Sequence, residues 1–118
     1  MAHPPVPDSD IRELLLWLLR QRRRFRVTGN SMLPLLQPGD LVLVNQSAYA
    51  DRLPEPGELV VARHPDRPSW LLVKRVAAVL DDEKCILIGD NPVESTDSRS
   101  FGAVPLDLIL GRVTSAIK

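Results

Sequence analysis

Eleven prolines and six glycines fall within 118 residues, and from Phe25 onward they divide the chain into short runs rich in β-branched residues and leucine. "FRV", "LVLV", "ELVVAR", "WLLVKRVAAVL", "CILIG" and "LILGRVTSAI" are separated by turns such as "QPGD", "EPGE", "HPDRPS" and "GDNP". Proline fixes φ and removes a backbone donor, and glycine tolerates positive φ, so this spacing excludes long helices and favours turns. Runs of this composition between such turns predict strands. Only "IRELLLWLLRQRRR", residues 11–24, reads as a helix, with Asp8, Ser9 or Asp10 as its cap, Glu13 in its first turn and arginines at its end. The expectation is a compact, mainly β fold preceded by one helix: residues 1–24 form a tail and an amphipathic helix, and residues 25–118 form the β domain. The opening "MAHPPVPDSD" reads as a loose tail, and the helix is expected to lay Leu, Ile and Trp17 on the sheet.

A chain of this size, 44% hydrophobic, buries one core. Fifteen basic and fifteen acidic residues leave no net field, and aromatics are 4%, which argues against a nucleic-acid partner. A single cysteine, Cys85, excludes an internal disulfide and fits a reducing, cytoplasmic setting. The N-terminus lacks the basic and apolar regions of a secretory signal. The longest apolar run, Leu14 to Leu19, is six residues where a membrane span needs about 20. Five arginines in "RQRRRFR" adjoin that run, so a peripheral contact with a membrane or a partner is a second reading of the helix.

Chemistry has few candidates. The two histidines are His3, in the tail, and His64, which precedes Pro65 and reads as a surface-turn residue; a Ser-His-Asp arrangement would depend on His64 alone. No spaced cluster of ligands suits a metal, and no glycine-rich phosphate loop is present, so neither metal nor cofactor is expected. Cys85, inside "CILIG", reads as a small buried hydrophobe. A serine nucleophile without histidine needs another base, and a neutral lysine can serve. Of the three lysines, Lys118 is terminal and Lys84 follows "DDE", whereas Lys74 lies in the middle of "WLLVKRVAAVL", where a strand would place it on one face with Leu72, Val76 and Ala78. Burial on that face lowers a lysine pKa. Taken singly, Lys74 also reads as a snorkelling lysine on an edge strand, and Ser31 as a turn or cap serine.

The combination "GNSMLPLLQPGDLVLV", "LLVKRV" and "IGDNPVESTDSRSFGAV", in that order over about residues 25–113, resembles the catalytic core of the type I signal peptidase family of Ser-Lys proteases, which share a β fold with LexA-type self-cleaving repressors. The resemblance implies Ser31 as nucleophile, Lys74 as general base, Ser95 as the serine that orients the lysine, and Asp97 with Arg99 as a salt-bridged brace. It implies an oxyanion site at the Ser31 N–H with help from Asn30, because the position two before the nucleophile, a serine in some relatives, is Gly29 here. Met32 is implied to line the substrate site, and residues 45–58 to lie along part of the groove. Only 42 residues separate Ser31 from Lys74 and 20 separate Lys74 from Ser95, too few for the accessory domain of some relatives. Within the family, a short, anchorless chain is most similar to the maturation protease of nickel-type superoxide dismutase, which implies a precursor protein as substrate, with nickel belonging to that substrate. Two alternatives are a signal-peptidase-like enzyme at the membrane surface and a LexA-type regulator. The second wants a helix-turn-helix and an internal Ala-Gly or Cys-Gly bond, and neither occurs in the 30 residues before Ser31.

Overall fold

A computed structural model describes residues 5–117. The helix α1 spans Ile11–Leu18, and seven strands follow: β1 Arg23–Arg26, β2 Leu41–Asn45, β3 Leu59–Arg63, β4 Leu71–Val79, β5 Lys84–Ile88, β6 Val104–Pro105 and β7 Ile109–Ile117. They form one sheet in the order β1-β2-β7-β3-β4-β5-β6, every neighbouring pair antiparallel. A one-turn helix, α2 (Ser98–Phe101), lies between β5 and β6. The mainly β expectation therefore holds.

The sheet curls around two cores, and β3 separates them. Val61 packs with Met32, Leu36, Val42, Val44 and Val113, whereas its neighbour Val60 packs with Ala62, Val76, Cys85, Leu87 and Val104. Successive strand residues face opposite sides, so a strand buried on both faces reads as a continuous apolar run, which is what "LVVA" supplies. Cys85 is buried as expected, and burial raises its thiol pKa. Register shifts at Leu43/Val44 and at Val76/Ala78 bend the sheet. The second of these breaks the alternation expected beyond Val76, so Ala78 does not extend the face that Lys74 shares with Val76.

The N-terminal region departs from expectation in three ways. The helix is shorter than residues 11–24: Asp10 caps it through the Glu13 N–H at 2.9 Å, Leu19 closes it, and Arg20 takes a positive φ of 63°. Arg23 and Arg24 belong to β1, where pairing with Val44 and Leu43 of β2 outweighs one more helical turn. They do not cap the helix. Second, residues 5–10 are not a loose tail: Val6 joins the first core, Asp8 bridges Ala116, and Pro7 and Ser9 exchange backbone hydrogen bonds with Ala116. His3 lies outside the described residues.

Third, α1 turns its apolar stripe outward. Ile11, Leu14, Leu15 and Leu18 recur at helical spacing, and Ile11 and Leu18 are 77% and 73% exposed. The other side, Glu13 with Leu16 and Trp17, is half-buried, so Trp17 packs inward in part, and a polar residue anchors it. The Glu13 carboxylate accepts from Thr114 Oγ1, from Ser115 Oγ at 2.9 Å and from Arg22 Nε at 3.2 Å.

Residues 46–58 are fixed by Glu58, whose carboxylate accepts from Tyr49, Arg52, Arg112 and the Glu55 N–H. Burial alone would raise this carboxyl, but the donors outweigh it and hold it down to about 2.

Candidate active site

Ser31 sits in a turn between β1 and β2. Gly29, at φ 72°, redirects the chain just before it, and Met32 and Leu36 behind it plug into the first core, with the Leu36 N–H bonded to the Met32 carbonyl at 3.0 Å. The hydroxyl of Ser31 makes no hydrogen bond to any described residue. The Ser31 backbone N–H is also unspent among the described residues, and the Asn30 side chain beside it is exposed.

Lys74 lies on β4, paired with β3 just before β5 joins from Arg75 onward, and at 3% exposed it is buried, not snorkelling to solvent. Its Nζ reaches Ser95 Oγ at 3.4 Å, and Ser95 Oγ donates to Asp97 Oδ2 at 2.8 Å. Burial lowers the lysine pKa; the negative charge of Asp97 pulls it back up, and Arg99 pushes it down again. Ser31 and Lys74 line one cavity of about 360 Å³. One wall runs from Arg26 to Met32 and the other from Trp70 to Lys74, with His64, Glu94 and Thr96 completing it. Ser31 Oγ and Lys74 Nζ are not hydrogen-bonded to each other.

Asp97 organises the surrounding segment. It is fully buried and caps α2 through the Arg99 N–H at 3.0 Å. It also accepts from the Gly89 N–H, the Ser95 hydroxyl and the Arg99 guanidinium. Burial alone would raise its carboxyl; these donors hold it far below the usual carboxylate range. Asn91, at the start of the same segment, clamps the serine turn: its N–H donates to the Ser31 carbonyl at 2.8 Å and its Nδ2 to the Asn30 carbonyl at 3.0 Å. Gly89 has to be glycine for this approach, since a Cβ there would stand 2.1 Å from Ser95 Oγ and 2.8 Å from the Ser31 carbonyl oxygen. The third motif thus fixes both the turn that carries Ser31 and the partner of Lys74.

The expected site residues Asn30, Ser31, Met32, Lys74 and Ser95 therefore converge, with Asp97 and Arg99 behind them. Met32, 1% exposed, is part of the core as well as a wall of the cavity. Three features escaped the sequence reading. His64 is buried at 7% exposure and faces the Ser31–Lys74 cavity, which corrects its reading as a surface-turn residue. Contacts with Trp70, six residues on, and with Phe101, distant in sequence, bury it. Arg75 forms a two-point ion pair with Asp90 and donates to the Gly57 carbonyl. Finally, none of residues 45–58 lines this cavity; Pro56 and Gly57 line a larger one of about 820 Å³ behind Gly89 and Asp90. The buried charges of that larger cavity, Arg75 and Asp90, already satisfy each other. The smaller cavity is lined by both an unspent hydroxyl and a buried amine, and it is the candidate active site.

Residues 14–86 match the family described as signal peptidase, peptidase S26. The chain is 33% identical over 105 residues to mitochondrial inner membrane protease subunit 1 of Xenopus tropicalis, covering 73% of this chain and 63% of that protein. It is 34% identical over 107 residues to mitochondrial ATP-independent inner membrane protease subunit 1b of Arabidopsis thaliana, covering 72% and 63%. Signal peptidase I of Pseudomonas aeruginosa is 34% identical over 70 residues, 49% of this chain and 25% of that protein. The chain thus spans somewhat under two thirds of the length of these inner membrane proteases. With the matched segment holding both Ser31 and Lys74, the chain belongs to the signal peptidase family, peptidase S26.

Proposed function

We propose that this chain is a serine endopeptidase that cuts an extended segment of a precursor protein, with Ser31 as nucleophile and Lys74 as general base. The observation that carries the proposal is the buried Lys74 amine in the same cavity as the unspent Ser31 hydroxyl, tethered through Ser95 to Asp97. Ser31 Oγ attacks the peptide carbonyl while neutral Lys74 takes its proton. The Ser31 N–H, with Asn30, meets the oxyanion. As the C–N bond breaks, Lys74 returns the proton to the departing amine. Water, deprotonated by Lys74, then hydrolyses the acyl-Ser31 ester. Ser95 orients the amine, and Asp97 braced by Arg99 orients Ser95.

The strands also suit an extended substrate. Leu71 to Lys74 pair with β3 on one side only, because β5 joins β4 from Arg75 onward, and β1 pairs only with β2. A peptide laid between these free edges gains main-chain hydrogen bonds from both. For the precursor, we infer nickel-type superoxide dismutase; the support is the short spacing of the three motifs, which resembles the compact form of its maturation protease. Incubating the chain with that precursor and reading the product by mass spectrometry is expected to show one new N-terminus after the leader. An intact dismutase precursor beside a cleaved signal-peptide-bearing protein would overturn the substrate, and failure to cut either would overturn the activity.

A second reading places this activity at a membrane surface, and the outward apolar stripe of α1 favours it. Arg12, Arg20, Arg23 and Arg24 surround that stripe and are exposed. Apolar side chains ringed by cations suit an anionic lipid interface. No helix among the described residues is long and apolar enough to cross a membrane. The chain is expected to co-sediment with phosphatidylglycerol-containing vesicles and to be released by salt or by the Leu15→Ser, Leu18→Ser double variant. Absence of vesicle binding at low salt removes this reading.

A further inference from the structure

His64 is largely buried, and only one of its two ring nitrogens is bonded to a described residue. Its Nδ1 accepts from the Asp66 N–H at 3.0 Å and the Arg67 N–H at 3.2 Å, so in the neutral ring the proton resides on Nε2. Trp70 meets the ring edge-on at 5.8 Å between centroids, and Phe101 packs on it at 4.7 Å. Nε2 has no partner among the described residues, and the residue lines the same cavity as Ser31 and Lys74. A histidine present only to fasten its turn would need Nδ1 alone.

The register fixes where this donor stands. Val60 pairs with Lys74 and Ala62 with Leu72, and the His64 N–H donates to the Trp70 carbonyl, which continues the ladder one step further. Side chains 60, 62 and 64 therefore share a face with 74, 72 and 70. Trp70 is four residues from Lys74 along the chain, about 13 Å at the rise of an extended strand. A peptide lying along this wall, with its cut bond beside Lys74, places a residue about four positions away next to His64. On the face of a sheet, rather than in its hydrogen-bonding plane, the donor meets a side chain and not the peptide backbone.

Resting on the endopeptidase reading above, we propose that His64 is a specificity-determining residue: its Nε2–H binds a side-chain acceptor, the amide or hydroxyl oxygen of Asn, Gln, Ser or Thr, about four residues from the bond that is cut. The residue sets which peptides are held, not how fast the held bond breaks.

The test uses the full chain and a set of synthetic decapeptides spanning one cleavable junction, varied one position at a time and read by mass spectrometry. Wild-type protein is expected to favour Asn, Gln, Ser or Thr over Leu or Val at a single position about four residues from the cut. The preference should be about tenfold in kcat/KM, the worth of one neutral hydrogen bond, expressed in KM. His64→Asn keeps an oxygen that can accept from the Asp66 N–H, as asparagine does in Asx turns, while removing the distal donor. It is expected to lose that preference, with KM for the Asn, Gln, Ser and Thr peptides rising to that of the Leu peptide cut by the same variant. No such position in wild type, a preference that survives His64→Asn, or an equal loss on all peptides would each overturn the proposal. Where no peptide is cut, the endopeptidase reading fails instead, and ¹⁵N spectra decide this one. A His64 Nε2 signal that shifts with the Asn peptide and not with the Leu peptide sustains it, and one that shifts with neither overturns it.

Discussion

Replacing Lys74 with methionine is expected to abolish cleavage and, at neutral pH, to leave a more stable protein. The two effects have one cause. An amine 3% exposed, on a strand face shared with Val76, is costly to keep charged, which is why its pKa is lowered. The same lowered pKa suits it to the proposed role of taking the proton of Ser31. Losing the base should cost on the order of 10⁴-fold in kcat/KM, as should Ser31→Ala, and combining the two should cost little more, since they act in one step. Methionine fills a similar volume without the desolvation cost, for a gain of roughly 1 kcal/mol. The pH dependence separates this account from simple repacking. The folded amine titrates below the unfolded value of about 10.4, so between those two values the unfolded chain binds more protons and wild-type stability rises with pH. Lys74→Met lacks that slope, so its advantage in Tm should be greatest near neutrality and shrink as pH approaches 10.4. In parallel, wild-type kcat/KM should rise through a midpoint below the ordinary lysine value. A methionine variant that still cuts, or one whose Tm advantage does not narrow in alkali, would remove Lys74 from the role of neutral base.

Lys74 was legible because its setting is local: one lysine amid Leu, Val and Ala on a strand can point only into the sheet's packed side or away from it. Most strands were legible for the same reason, since turns and alternation are written within a few residues. The misses were all non-local. Residues 22–24 have ample helix propensity, and only the presence of the β2 edge draws Arg23 and Arg24 into a strand. The apolar period of α1 marked a stripe but not its direction, which was decided by Thr114 and Ser115 receiving Glu13. His64 before a proline looked like a surface turn until Trp70 and Phe101 closed over it. The approach of Ser31 to Lys74 depends on Asn91 clamping the serine turn, a contact 61 residues apart in sequence for its side chain. Resemblance to a family supplied the pairing of serine and lysine; spacing alone could not.

Asp97→Ala is expected to be the most destabilising single change in the third motif, and to act on the chemistry without touching the substrate. The carboxylate is fully buried and accepts from Gly89, Ser95 and both the backbone and side chain of Arg99. Alanine leaves the Gly89 N–H without its acceptor and α2 without its cap, losses of roughly 1–3 and 0.5–2 kcal/mol. Together with the freed Ser95 hydroxyl, a drop of roughly 3 kcal/mol should lower Tm by about 10–20 °C in a domain of this size. Asp97→Asn should cost less, because one oxygen can still serve Gly89 and Ser95, although the amide N–H₂ then meets the Arg99 donors and the α2 cap is lost. The carboxyl is held far below its unfolded value, so its contribution is complete above about pH 4 and is lost as the medium falls through the folded value. The Tm gap between wild type and Asp97→Ala should therefore close in strong acid. Removing the negative charge also withdraws the pull that raises the Lys74 pKa and leaves Arg99 uncompensated, and both changes favour the neutral amine. Whatever activity Asp97→Asn retains should thus show its alkaline rise at lower pH than wild type, together with a lower kcat because a neutral amide oxygen fixes Ser95, and through it the lysine, less firmly than the carboxylate does. A shift of that limb to higher pH would break the link drawn here from Asp97 through Ser95 to Lys74.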